Sequence, residues 1–304
     1  MTTIYKSKGG KQVLHDKYEK YLNTLLFDVG REYVETRFGE THVLVAGPED
    51  GQPVFVFQGG NCINPMTLSW FSSLAKRYRI YAPDTIGHPG LSAETRISAE
   101  DQSFPQWIED VMEHYHIQKC AFVGPSYGGG IILRLATFMP EKIACAVLVA
   151  PAGINLGSKR RMIKDVLYPL ICFRITSSKK HLKKMTNAMS DNMMKDIDSE
   201  LIGDVMKYVK LEQNMPKLTN KEELANYRAP TLIIAGQKDI FFPESKIHDK
   251  AKEIIPNLVA FKSYDMSHFP SEEYLVKMNK EIRMFLDKYY EESEIMHRNR
   301  VNSL

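Results

Sequence analysis

The sequence predicts an α/β fold: a mostly parallel central sheet, helices on both of its faces, and a helical insertion late in the chain. Three observations carry this. Short apolar runs alternate with segments of helical periodicity. The runs are continuous rather than alternating, as in strands buried on both faces. The alternation lapses once, between about Leu156 and Ala225, and then resumes.

The first element is a helix over 12–27, where Val13, Leu14, Tyr18, Tyr21, Leu22, Leu25 and Leu26 fall at helical spacing. It is expected to pack on the outside of the core. The runs 33–37 and 41–45 alternate around Phe38-Gly39-Glu40 and read as a β-hairpin. Strands follow at 54–57, 80–82, 120–123 and 144–149, separated by helices at 68–77, 104–114 and 129–138. After the lapse come a strand at 231–235, a helix at 246–255, a strand at 258–261 and a closing helix at 272–290. The domains are therefore expected to be a core of residues 1–155 and 226–304, with a helical cap at 156–225 and a polar tail that frays beyond Glu291.

Composition bounds the function. The chain has 304 residues, 43% hydrophobic and 25% charged, which is ordinary for a folded protein. A net charge of +3 predicts no nucleic-acid or membrane preference for the chain as a whole. No apolar run is long enough for a membrane span and the N-terminus lacks a signal-type core, so the expected location is cytoplasmic. Cys62, Cys120, Cys145 and Cys172 form no C-x-x-C or Cys/His cluster, so no metal site is expected and the thiols are read as reduced.

The chemistry centres on Gly124-Pro125-Ser126-Tyr127-Gly128. Such a string is common by chance, but here it joins a strand to a helix. That context describes a tight turn in which the serine takes a strained conformation and its hydroxyl rises out of the sheet. A serine needs a base. His268, just after a strand and before the last helix, is the one histidine of nine in such a place. Asp239 follows the strand 231–235 on the same edge and is the expected orienting acid. Asp265 competes, but three residues along a loop is too near to reach the far side of the ring. The oxyanion donors are expected to be the backbone amides of Tyr127 and of Gly60 in Gln58-Gly59-Gly60-Asn61, with Asn61 next in line.

With these residues the chain resembles the α/β-hydrolase carboxylesterases, including the esterase-like hydrolases of bacilli. The resemblance runs over most of the chain. It includes residues 33–42, the segment Tyr81-Ala82-Pro83-Asp84-Thr85-Ile86-Gly87-His88-Pro89-Gly90-Leu91-Ser92, the Ser126 turn and Ser267-His268. It implies that Asp84 belongs to a D-x-x-G-x-x-G-x-S loop that shapes the site rather than serving in the triad. It also implies that the insertion forms a lid over the nucleophile. Two departures stand out: Gln58-Gly59 where many relatives have His-Gly, and Asp265-Met266-Ser267-His268 where many have Gly-x-Gly-His.

The expected function is a serine hydrolase, a carboxylesterase acting on small to medium esters, with a small-molecule ester as its partner and no cofactor. Thioester, amide, lactone or carbon–carbon cleavage would use the same triad, and a non-catalytic ligand receptor on this fold is the alternative of another class. The insertion carries Met162, Met185, Met189, Met193, Met194, Met206 and Met215. Some of these could line an adaptable acyl site, and most are expected simply to pack. Its basic cluster, Lys159-Arg160-Arg161 with Lys164, Arg174, Lys179, Lys180, Lys183 and Lys184, suits an acidic substrate, an anionic membrane or a partner, or else a solvated helix face.

Overall fold

A computed structural model describes residues 3–291. The tail expected to fray beyond Glu291 lies outside the described residues. Helix α1 (Lys8–Leu22) starts at Ser7, whose side chain accepts the amide of Gly10. The apolar spacing predicts that this helix runs on to Phe27. It ends at Leu22 because the amides of Thr24 and Leu25 turn back to the carbonyls of Tyr21 and Leu22, three residues behind, and Leu26 stands fully exposed.

The hairpin β1 (Val29–Thr36) and β2 (Gly39–Ala46) comes next, with Tyr33 opposite His42. Then follow β3 (Pro53–Val56), α2 (Asn64–Trp70), β4 (Arg79–Pro83), α3 (Ser103–His114) and β5 (Cys120–Pro125). After β5 come α4 (Tyr127–Phe138) and β6 (Ile143–Val149). The helix expected at 68–77 is two pieces, α2 and a 3-10 segment Ser72–Lys76. The amide of Phe71 bonds to the Leu68 carbonyl and tightens the chain there.

Between β6 and the next strand lies the insertion. A continuous helical run consists of α5 (Lys159–Met162), a π-helical stretch Ile163–Leu167 and α6 (Tyr168–Thr176). Helices α7 (Lys179–Ser190) and α8 (Asp196–Tyr208) follow. The return segment bears no regular element between residues 210 and 220 and runs along the core, with Pro216 over Gly130 and the Thr219 amide on the Gly153 carbonyl. The chain closes with β7 (Thr231–Gly236), α9 (Glu244–Ile254), β8 (Leu258–Tyr264) and α10 (Glu272–Leu286).

Among the described residues, eight strands form one sheet in the order β1-β2-β4-β3-β5-β6-β7-β8. The pairings β1–β2 and β2–β4 are antiparallel, and every pairing from β4 to β8 is parallel. Both faces are buried, which is why the strands read as continuous apolar runs. Val54, Val56, Ala121 and Val123 join one core cluster with α1, α2 and α10; Phe55, Cys120 and Phe122 join the other with α3, α4 and α9. The chain leaves β3 toward β4 on one side and returns through β5 on the other. That switch opens a crevice at the carboxyl ends of β3 and β5.

Long-range ties fix the outer elements. In α1, the Tyr18 hydroxyl donates to Asp84 (2.9 Å) and the Tyr21 hydroxyl to Asp198 of α8 (2.8 Å), so this helix joins the core to the insertion. Tyr5 pairs with Val209 in an antiparallel bridge. Arg134 of α4 is fully buried; it bonds to Thr219 (2.9 Å) and pairs with Glu223 (3.1 Å), anchoring the return segment. Burial alone would raise the Glu223 carboxyl, but hydrogen bonds from Arg134, the Asn220 amide and Lys217 outweigh it and hold the group at about 2.

Candidate active site

Ser126 occupies the turn between β5 and α4 with φ 49° and ψ −115°, a backbone conformation that costs a non-glycine residue energy. Its surroundings hold it there. The Ser126 amide bonds to the Val149 carbonyl (2.8 Å), and its own carbonyl accepts from Ala152 (2.9 Å) and Gly130 (3.2 Å). The flanking glycines are required by contact: a Cβ on Gly124 would lie 2.6 Å from the Gly128 carbonyl carbon, and one on Gly128 would lie 2.9 Å from the carbonyl oxygens of Phe57 and Gln58. The turn thus places the serine at the N-terminus of α4.

On the same carboxyl edge of the sheet, Asp239 and His268 meet. His268 Nδ1 lies 2.8 Å from Asp239 Oδ2. The other carboxylate oxygen accepts the amides of Phe241 (2.7 Å) and Phe242 (3.0 Å), so both oxygens of this buried acid are hydrogen-bonded. The rings of Phe241, Phe242 and Phe269 surround the imidazole at 4.9, 5.8 and 5.6 Å. Among the described residues no hydrogen bond joins His268 to the Ser126 hydroxyl, an arm that in free enzymes often tightens only with substrate. The two competing acids lie elsewhere. Asp265 faces solvent in an ion pair with Lys238 (3.0 Å), and Asp84 is buried against Tyr18, His42 and the Leu91 amide.

The turn after β3 brings Gly60 against Tyr127: a Cβ on Gly60 would sit 3.0 Å from Tyr127 Cβ. Its neighbours spend their amides internally, Gly59 on Thr67 (3.2 Å) and Asn61 on His88 Nδ1 (3.4 Å). The Gly60 amide has no such partner among the described residues. The Tyr127 amide, first in α4, has no acceptor within its helix.

Three residues to which sequence reasoning gave no role build this corner. Gln58 is buried; its Nε2 donates to the Cys62 carbonyl (2.9 Å) and its Oε1 accepts the Thr85 amide (3.2 Å), which stitches the β3 turn to the Asp84 loop. The His88 ring lies tilted against Tyr127, centroids 4.6 Å apart, and burial, then the nearby Arg96, push its imidazole down to about 3. Glu212 of the return segment pairs with Arg96 (3.2 Å). Only the unusual Gln58-Gly59 carried a signal in the sequence; the partners of His88 and Glu212 are too distant along the chain.

The insertion also grips the histidine loop. The Phe269 amide bonds to the Met189 carbonyl (2.9 Å) and the Ser267 hydroxyl to the Ala188 carbonyl (3.3 Å), one on each side of His268. Met185 and Met189 are buried in the core, whereas Met193 and Met215 are exposed. No described helix is long and apolar enough to cross a membrane.

The switch-point crevice, the serine turn after β5 and the acid–histidine pair beyond β7 and β8 together describe a hydrolase of the α/β class. The chain belongs to the alpha/beta hydrolase fold family, whose model matches residues 52–273. It is similar to two proteins of Bacillus subtilis strain 168. The uncharacterized carboxylesterase nap is 26% identical over 263 residues, 84% of this chain and 86% of the relative. Carboxylesterase YbfK is 22% identical over 278 residues, 90% of this chain and 93% of the relative. Among solved structures, the naproxen esterase (carboxylesterase NP) of Bacillus subtilis has the same fold, with a TM-score of 0.77 at 20% identity over 92% of this chain and 99% of that one.

Proposed function

We propose that the protein is a carboxylesterase working through an acyl-enzyme on Ser126, with Asp239 and His268 completing the triad. The observation that carries this reading is the strained Ser126 backbone at the β5–α4 turn. A strained serine at a strand-to-helix turn is the feature that exposes a nucleophilic hydroxyl at the carboxyl edge of such a sheet. Family membership and the carboxylesterase relatives support the same reaction class.

In the first step Ser126 Oγ attacks the ester carbonyl carbon, and its proton passes to His268 Nε2. Asp239, already on Nδ1, keeps the ring in the right tautomer and stabilises the imidazolium. The oxyanion that forms is held by the Tyr127 and Gly60 amides. The intermediate collapses, the alkoxide leaves, and it takes the proton from His268. Water then attacks the acyl-enzyme with its proton going to the same nitrogen. Collapse returns that proton to Ser126 and releases the acid.

The reading places the core at residues 1–155 and 226–304 and the cap at 156–225, with the cap acting as a lid. The bonds from Ala188 and Met189 to the histidine loop support that role. A fluorophosphonate probe tests the nucleophile. The wild type labels and cleaves short p-nitrophenyl esters, and Ser126→Ala does neither while keeping its melting temperature. A wild type inert in both assays refutes the esterase.

A further inference from the structure

The helical run that opens the insertion turns apolar side chains outward. Ile163, Leu167, Ile171 and Ile175 recur every fourth residue, and with Tyr168 beside them they are between 47% and 79% exposed. The same helix already buries Leu170 and Phe173 on its inner side. The outer stripe is therefore surplus to folding, and a contiguous apolar row in water marks a contact surface.

Charge surrounds it. Between Lys159 and Lys184 the chain carries nine lysines and arginines against one acid, Asp165, a local charge of +8 in a protein whose total is +3. All nine are exposed. Lys184 reaches over the Tyr168 ring, its Nζ 5.9 Å from the centroid. An apolar stripe rimmed by long cationic side chains is the pattern of a helix that lies in a membrane interface.

We infer that this face docks on an anionic lipid bilayer, with the isoleucine stripe at the headgroup–acyl boundary and the Lys/Arg rim on the phosphates. Charge selects this occupant. A second copy bound through the same face would bring two +8 segments together, whereas an anionic surface neutralises one. The face is also continuous with the site. An apolar groove of about 280 Å³, lined by Met162, Ile163, Val166, Leu167, Leu170 and Phe241, opens beside the stripe. Phe241 stands edge-on to the His268 ring at 4.9 Å. On the esterase reading, an ester with an apolar acyl chain drawn from the bilayer would reach the histidine along this wall.

Co-sedimentation with vesicles tests the docking, and it reads binding rather than turnover. Vesicles of mixed phosphatidylglycerol and phosphatidylcholine bring the protein down at low salt, and phosphatidylcholine alone does so far less. Ile171→Ser and Ile175→Ser each weaken partitioning at least about tenfold. Lys179→Gln, Lys180→Gln and Lys183→Gln each weaken it about fivefold. All five variants keep the wild-type melting temperature and the turnover of a soluble short-chain ester. No binding to either vesicle overturns the proposal, as does binding indifferent to the isoleucines, which would be headgroup adsorption alone. Light scattering that shows a dimer broken by the isoleucine variants overturns it in favour of a second copy. An inactive protein that still sediments leaves the docking standing and removes only the esterase.

Discussion

The side-chain amide of Asn61 pairs with both backbone groups of Glu212: Nδ2 donates to the carbonyl at 3.0 Å and Oδ1 accepts the amide at 2.8 Å. The return segment of the insertion thereby holds the turn that carries Gly60. Asn61 sits at φ 50°, a left-handed conformation that asparagine tolerates better than most residues. Asn61→Ala loses both bonds and keeps the strain, so stability should fall by about 2 kcal/mol in urea unfolding. On the proposed mechanism, a looser Gly60 amide weakens a contact made only in the transition state. Steady-state kinetics should therefore show kcat falling about tenfold or more with KM little changed.

Lys238 bridges Asp191 (2.9 Å) and Asp265 (3.0 Å) on the surface, immediately beside the buried Asp239. On the proposed mechanism the two aspartates near His268 have different work. Asp239→Asn should lower kcat about 10⁴-fold by favouring the wrong histidine tautomer. Asp265→Asn loses one arm of an exposed ion pair and should change kcat by no more than about fivefold. A larger loss from Asp265→Asn than from Asp239→Asn would reverse the assignment of the acid.

Gly128 has no room for a methyl group, since its Cβ would meet two backbone oxygens that cannot rotate away. Gly128→Ala should destabilise the fold by about 1–3 kcal/mol. Because the clash is with the β3 end, it should also displace the Gly60 turn. Denaturant midpoints measure the first effect and fluorophosphonate labelling rates the second. A Gly59→Ala control, with nothing within 4 Å, should leave the midpoint unchanged.

His88 supplies a pH signature. Its folded value is near 3 and its unfolded value near 6.5, so below 6.5 the unfolded chain binds a proton that the folded chain refuses. The stability this group contributes is complete above pH 6.5 and drains away as pH falls toward 3, at up to about 1.4 kcal/mol per pH unit. His88→Asn keeps a side-chain acceptor for the Asn61 amide and should flatten that part of the stability curve in urea titrations from pH 7 to 4. An unchanged slope would show that His88 takes up its proton in the folded state as well.

Much of the fold could be read because burial on both faces leaves a signal in single strands. Ala144–Val149 is apolar throughout and Thr231–Ala235 is apolar after its first residue, and they match β6 and β7 within a residue. Helix α1 could be recognised but not bounded. Leu25 and Leu26 keep the helical spacing, yet the chain turns at Thr24, and a side chain left in water carries no mark of it in the pattern.

The sequence by itself determined the elements and the nature of the serine turn. Both depend on neighbours along the chain: apolar period, glycine spacing, a strand before and a helix after. Only the tertiary structure decided which acid lies on His268, which amide of the Gly60 turn is free, and that Asn61 and Glu212 meet. Those contacts join residues 29 and 151 positions apart. Their geometry follows from how the strands order themselves in the sheet and how the insertion folds back on it. The outward stripe of the insertion belongs to both. Its four-residue spacing is written in the sequence, but only the packed helix shows which side was left to the solvent.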